Sequence, residues 1–160
     1  MRAGPPGLPA GIVFRRLRTE AERALALSLL AAGGRSWPAG RASGVAWFGL
    51  WDLAAAEGVA LIAAAATRPV TAATAELCAL AVPAAVLPLR GLGDRLLREV
   101  ADTLRAQGVE RMVARLEGDD GRQALLRDAG LVPLPALQRP DLPWRGSGGA
   151  DAGVWLSLEL

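Results

Sequence analysis

The stretch that most constrains the fold runs from residue 74 to residue 117. It reads TAELCALAV, then a loop PAAVLPLRGLG, then DRLLREVADTLRAQG, then VERMVARLE. The first run, residues 74–82, is apolar apart from Thr74 and Glu76, which is the pattern of a strand buried on both faces. Gly91 and Gly93 punctuate the loop. The helix expected over residues 94–107 carries Leu96, Leu97, Val100 and Leu104 on one stripe, with Gly108 as its stop. A buried strand that leaves through a glycine turn into an amphipathic helix and returns as a second strand, 109–117, requires a sheet with a helix packed on it.

The flanking segments extend that unit. Residues 1–10, MRAGPPGLPA, read as a loose arm. Residues 11–17 are a short strand. Thr19 opens a helix that runs to about residue 32, with Glu22 completing a capping box and Leu25, Leu29 and Ala32 as the expected buried face. Strands are expected at 45–51 and 58–67, the second rich in alanine. Asp119 and Asp120 are cap candidates for a short helix closed by Gly130, followed by a broken strand at 131–137 and an alternating terminal strand at 153–160. The order is β-α-β-β-β-α-β-α-β-β, a mixed α/β (α+β) sheet with flanking helices in one domain over 11–160.

Composition then removes whole classes of chemistry. The chain has no His, Tyr, Lys or Asn, and all 18 of its basic residues are Arg. A Ser-His-Asp or Cys-His nucleophile, a lysine Schiff base and a Walker A lysine are therefore excluded. With one cysteine, Cys78, and no His, no metal site is expected. A lone cysteine forms no internal disulfide, which points to a reducing, cytoplasmic setting. No uncharged run reaches the roughly 18 residues that span a bilayer. Residues 24–34 follow four arginines and imitate a secretory leader, but Glu20 and Glu22 and the capping box favour a helix. Arg and acidic residues interleave, so neither nucleic acid nor membrane is expected as a partner.

A glycine turn feeding a helix N-terminus can hold a pyrophosphate, because backbone N–H groups and the helix dipole converge there. The bare sequence RGLG is equally a loop and cap. It lacks the third glycine of a dinucleotide fingerprint, and the strands before it read as an antiparallel meander.

Taken together, ELCALAV, RGLGDRLL, the helix ending AQG, VERMVARLE and the short helix closing DAGLVP resemble the GNAT superfamily of acyl-CoA-dependent N-acetyltransferases. The resemblance covers roughly residues 11–160 and is strongest over 74–133. It implies a mostly antiparallel central sheet splayed between strands 74–82 and 109–117, with acetyl-CoA or another acyl-CoA in the splay. Gly91 and Gly93 fall on the two small positions of the family's pyrophosphate turn, Arg90 and Leu92 are interleaved with them, and Asp94 and Arg95 lie in the first helical turn. The backbone of Leu80, Ala81 and Val82 would pair with the pantetheine arm, and an N–H near Val82 would polarise the thioester carbonyl. Glu76 falls where some members carry a general base; its alternatives are an Arg-paired or a solvent-facing carboxylate. Asp119 stands where an Asn is common, Leu126 where a Tyr acid is frequent, and Pro88 where the motif opens with Gln or Arg.

The implied reaction is direct attack of a primary amine on the acetyl thioester. Trp37, Trp47 and Trp51 are candidates for the acceptor pocket, with core packing as their other reading. Cys78 reads as a buried apolar residue, since no His can activate it. A homodimer paired through strand 153–160 is a further expectation. The alternative to an enzyme is a GNAT-like domain that has lost turnover and binds acyl-CoA or a protein partner.

Overall fold

The structure is a computed structural model that describes residues 9–33, 44–83, 91–116, 122–135, 138 and 154–160. The elements are β1 (Ile12–Arg16), α1 (Glu20–Ala32), β2 (Ala46–Asp52), β3 (Ala60–Pro69), β4 (Thr74–Ala81), α2 (Leu92–Ala106), β5 (Arg111–Leu116), α3 (Arg122–Asp128), β6 (Val132–Pro133) and β7 (Val154–Glu159). Their order and type are those expected from the sequence. Among the described residues the strands form one seven-stranded sheet in the order β1-β2-β3-β4-β5-β7-β6. β4 and β5 pair in parallel and the other neighbours are antiparallel. The residues expected to form an arm lie outside the described ones except Pro9 and Ala10. The Pro9 carbonyl accepts from the Ile12 N–H at 3.0 Å and turns the chain into β1.

Helices cover both faces of the sheet. Beneath α2, the stripe Leu96, Leu97, Val100 and Leu104 packs with Phe48, Leu50, Ala63, Ala65, Leu77 and Met112. On the opposite face, Ala26 and Leu30 of α1 pack with Trp47, Trp51, Ala64 and Ala66. The alanines of β3 have weak strand propensity, but Ala63, Ala64, Ala65 and Ala66 are all 0% exposed. Their small side chains face large ones across the ladder, Ala66 opposite Trp47 and Ala65 opposite Phe48. Burial against indole and phenyl rings outweighs local preference here.

The buried face of α1 differs from the expected one. Ala26 and Leu30 are buried, Leu29 only partly, and Leu25 is 49% exposed. The two indoles already fill the space under this helix, and it meets them with the small side chain of Ala26. The capping box forms as expected: Thr19 Oγ1 accepts from the Glu22 N–H at 3.1 Å, and the Glu22 carboxylate accepts from the Thr19 N–H at 3.2 Å. No helix among the described residues is long and apolar enough to cross a membrane.

β7 is an interior strand. It pairs with β5 over its whole length and with β6 through Ser157 and Leu156.

Candidate functional site

The site is built around the place where β4 and β5 part. Their parallel register holds four pairs, from Thr74 with Arg111 to Leu77 with Ala114. β4 continues to Ala81 and β5 to Leu116 without further pairing between them. The two strands therefore open into a V that starts after Leu77, as the expected splay requires. One edge of β4 stays laddered to β3, with Leu80 opposite Ala65 and Ala81 opposite Ala64. Its other edge faces the opening.

A β-bulge sits at that same point. Thr67 pairs with Leu77 and Ala66 with Ala79, so Cys78 is the extra residue on β4. The bulge resets the side-chain alternation. Ala75 and Leu77 face α2, whereas Ala79 and Ala81 face α1. The Cys78 thiol donates to the Ala66 carbonyl at 3.4 Å and is partly buried, which agrees with a packing residue. Sequence reasoning missed the bulge. A strand apolar on both faces offers no alternation whose break would mark it.

Glu76 lies two residues before the bulge and is 0% exposed, which removes the solvent-facing reading. Its side chain is on the face opposite α2. In the ladder it stands between Arg68 of β3 and Val113 of β5, and Val113 in turn faces Ser157 of β7. This row crosses the sheet one step from the opening of the V. Arg68 was not singled out from the sequence, because its place beside Glu76 depends on the register.

The far side of the V leads to the N-terminus of α2. The helix begins at Leu92, two residues earlier than expected, and Gly91 is its N-cap with φ +85. That left-handed conformation favours glycine. Gly91 makes no side-chain cap, and a Cβ placed on it would meet nothing within 4 Å. The N–H groups of the first helical turn have no earlier helical turn to bond, and the helix dipole at this end favours an anion. Gly93 has another reason to be small: it is buried inside the first turn, and a Cβ on it would lie 2.9 Å from Leu125 of α3. Leu92 is buried in the core beneath α2.

The charged residues of this turn point along the helix. Asp94 pairs with Arg98 at 2.9 Å and Arg95 with Glu99 at 2.8 Å. Trp47 and Trp51 are only 5% and 4% exposed beneath α1. Arg15 stacks 4.3 Å over the Trp51 ring and bridges it to Glu22 of α1 at 3.1 Å. Both rings are covered, which leaves no exposed indole face for an acceptor to stack on. Leu126 is 0% exposed within the core. Val82 packs at the margin of that core. Trp37, Pro88, Arg90 and Asp119 lie outside the described residues.

The fold has clear counterparts among solved structures. A GNAT family acetyltransferase from Elizabethkingia anophelis with acetyl-CoA bound matches at TM-score 0.62 and 15% identity, over 95% of this chain and 100% of that one. Tetrahymena GCN5 matches at 0.68 and 17%, over 92% and 95%. The ribosomal-protein-S18-alanine N-acetyltransferase of Escherichia coli matches at 0.66 and 16%, over 92% and 93%. At these identities the likeness establishes the fold. No protein-family model and no curated protein matches the sequence.

Proposed function

We propose that this chain, with the fold of the GNAT acetyltransferases, is an N-acetyltransferase that moves an acetyl group from acetyl-CoA to a primary amine. The observation that carries the reading is a conjunction: the β4–β5 register ends at Leu77, and α2 starts on the left-handed glycine Gly91. An extended pantetheine arm fits the first as an added strand would, through backbone groups of Leu80, Ala81 and Val82. A pyrophosphate fits the second, on the N–H groups of residues 92–94. Arg95, though paired with Glu99, lies within the same turn and adds positive charge. Arg90 and Asp119 belong to the reading as further cofactor contacts.

In the reaction, the amine nitrogen bonds to the thioester carbonyl carbon. A backbone N–H near Val82 stabilises the oxyanion, and the C–S bond then breaks to release CoA thiolate. The proton lost by the amine goes to the Glu76 carboxylate, directly or through a water. An amine whose pKa is near 10 must give up a proton before or as it attacks, so this acceptor is the group the chemistry most needs. The thiol leaves with a pKa of about 8.5, which makes a general acid less critical. The setting proposed is the cytoplasm.

One observation favours a second reading, an acyl-CoA-binding module without turnover. Leu126, where the family's tyrosine acid is frequent, is a fully buried core residue, and the chain has no tyrosine to replace it. A free-thiol release assay with acetyl-CoA over a panel of small amines, amino acids and peptides separates the two. Thiol release that depends on one acceptor class supports the enzyme. Acetyl-CoA binding without release for any acceptor supports the module.

A further inference from the structure

A carboxylate with no solvent exposure is costly unless a positive charge or several donors compensate it. Glu76 is such a group, at 0% exposure. In the β3–β4 register its direct partner is Arg68. Directly opposed residues of an antiparallel pair have Cβ atoms about 4.5–5.5 Å apart on one face, well within the reach of an arginine. The face is fixed independently. Ala64 and Ala66, which share Arg68's phase on β3, pack on the α1 side of the sheet, and Val70, of the same phase, packs against Val113, Leu134 and Trp155. Val113 is the neighbour of Glu76 on its other flank.

The other groups around Glu76 compete poorly. Thr74 and Cys78 flank it on β4. From β5, Val113 is apolar, and Arg111 is engaged with Glu159 at 2.6 Å. Arg115 shares the face, but it lies beyond Ala114, the last residue of β5 that pairs with β4, and so on the arm of the V that turns away. Ser157 of β7 is separated from Glu76 by β5.

We infer that Arg68 is the positioning residue of Glu76: its guanidinium fixes the carboxylate at the base of the V, where it can accept a proton. The inference deepens the acetyltransferase reading and rests on it for its catalytic meaning, although the pairing itself stands apart from activity. The position of Arg68 also has a mechanical use. Arg68 stands two residues from Ala66, the residue whose partner on β4 is shifted by the bulge, so the arginine ties Glu76 to the rigid β3 ladder just before β4 bends into the opening.

The experiment is a titration of the Glu76 carboxyl by NMR in the full chain labelled with ¹³C-carboxyl glutamate, its resonance identified by its loss in Glu76→Gln. The midpoint should rise in Arg68→Met, which removes the opposite charge beside the carboxylate, and return most of the way in Arg68→Lys. Arg115→Met should leave it in place. The acid limb of kcat/KM for acetyl transfer should move by the same amount in the same variants. An unchanged midpoint in Arg68→Met, or a midpoint that moves in Arg115→Met instead, overturns the assignment. A midpoint that moves while the acid limb does not keeps the pair and removes Glu76 as the base, so the two readings fail separately. If Arg68→Met does not fold, adding Glu76→Gln should restore folding, because it removes the stranded charge. A double variant as unfolded as the single one also overturns the pairing.

Discussion

Gly93 of α2 lies directly beneath Leu125 of α3, so close that a Cβ on the glycine would stand 2.9 Å from the leucine Cδ1 and 3.1 Å from Cδ2. This contact seats α3 on the first turn of α2, the turn whose N–H groups face the candidate pyrophosphate position. Gly93→Val should cost about 1–3 kcal/mol by overpacking, and adding Leu125→Ala should recover part of it. Urea unfolding of the two single variants and the double variant measures the coupling. Strict additivity would contradict the contact.

A second close approach lies in the middle of the sheet. A Cβ on Gly49 of β2 would run into the Leu61 side chain and stand 3.2 Å from Leu17 Cδ2 and 3.4 Å from the Ala63 carbonyl. The Leu61 and Leu17 side chains must both shift to admit it, whereas the Ala63 oxygen stays at ordinary contact distance. Gly49→Ala should therefore destabilise the protein by about 1–3 kcal/mol. A neutral or stabilising effect on the denaturant midpoint would contradict it.

The α1 capping box should make stability depend on acid. Hydrogen bonds from the Arg18 N–H at 2.7 Å and then the Thr19 N–H hold the Glu22 carboxyl below the usual glutamate range. A depressed folded-state pKa adds stability above the unfolded-state value of roughly 4.3, and that contribution is lost as pH falls through the lower folded value. The Tm gap between the wild type and Glu22→Gln should thus be open at pH 6 and narrow toward pH 3. A gap that does not change with pH would contradict it. Thr19→Ala, which removes the other half of the box, should cost about 1 kcal/mol.

Glu76→Gln removes the proposed proton acceptor while keeping the side-chain shape. Acetyl transfer at neutral pH should fall by roughly 10²–10⁴, the usual contribution of a general base. The loss should shrink at high pH, where more of the amine is already neutral. A loss of the same size across the pH range would point to packing at this 0%-exposed position instead.

Much of this architecture was legible in the sequence because periodicity and punctuation agreed. The stripe of α2, Leu96, Leu97, Val100 and Leu104, is buried as expected, and Thr19 with Glu22 forms the cap expected of it. What escaped has physical causes. Gly93 looks like a turn residue and is a packing residue, because a glycine in a sequence does not say which neighbour approaches it. The bulge at Cys78 is silent because both faces of β4 are buried and either phase of side chains would be apolar. The phase of α1 differs because Leu25 and Leu29 outweigh Ala26 in hydrophobicity, whereas the surface shared with Trp47 and Trp51 buries the smaller Ala26. The pairing of Arg68 with Glu76 is a long-range register, which no local pattern specifies.

The central claim, that the V between β4 and β5 and the start of α2 together bind acyl-CoA, is tested most directly by calorimetric titration of acetyl-CoA into the full chain. The wild type should bind in the micromolar range. Gly91→Glu should weaken binding at least tenfold by setting a carboxylate before the helix N-terminus. Gly91→Ala, which carries the same left-handed strain at φ +85 without the charge, should retain most of the affinity. A wild-type protein that is folded by circular dichroism and shows no acetyl-CoA binding would contradict the account.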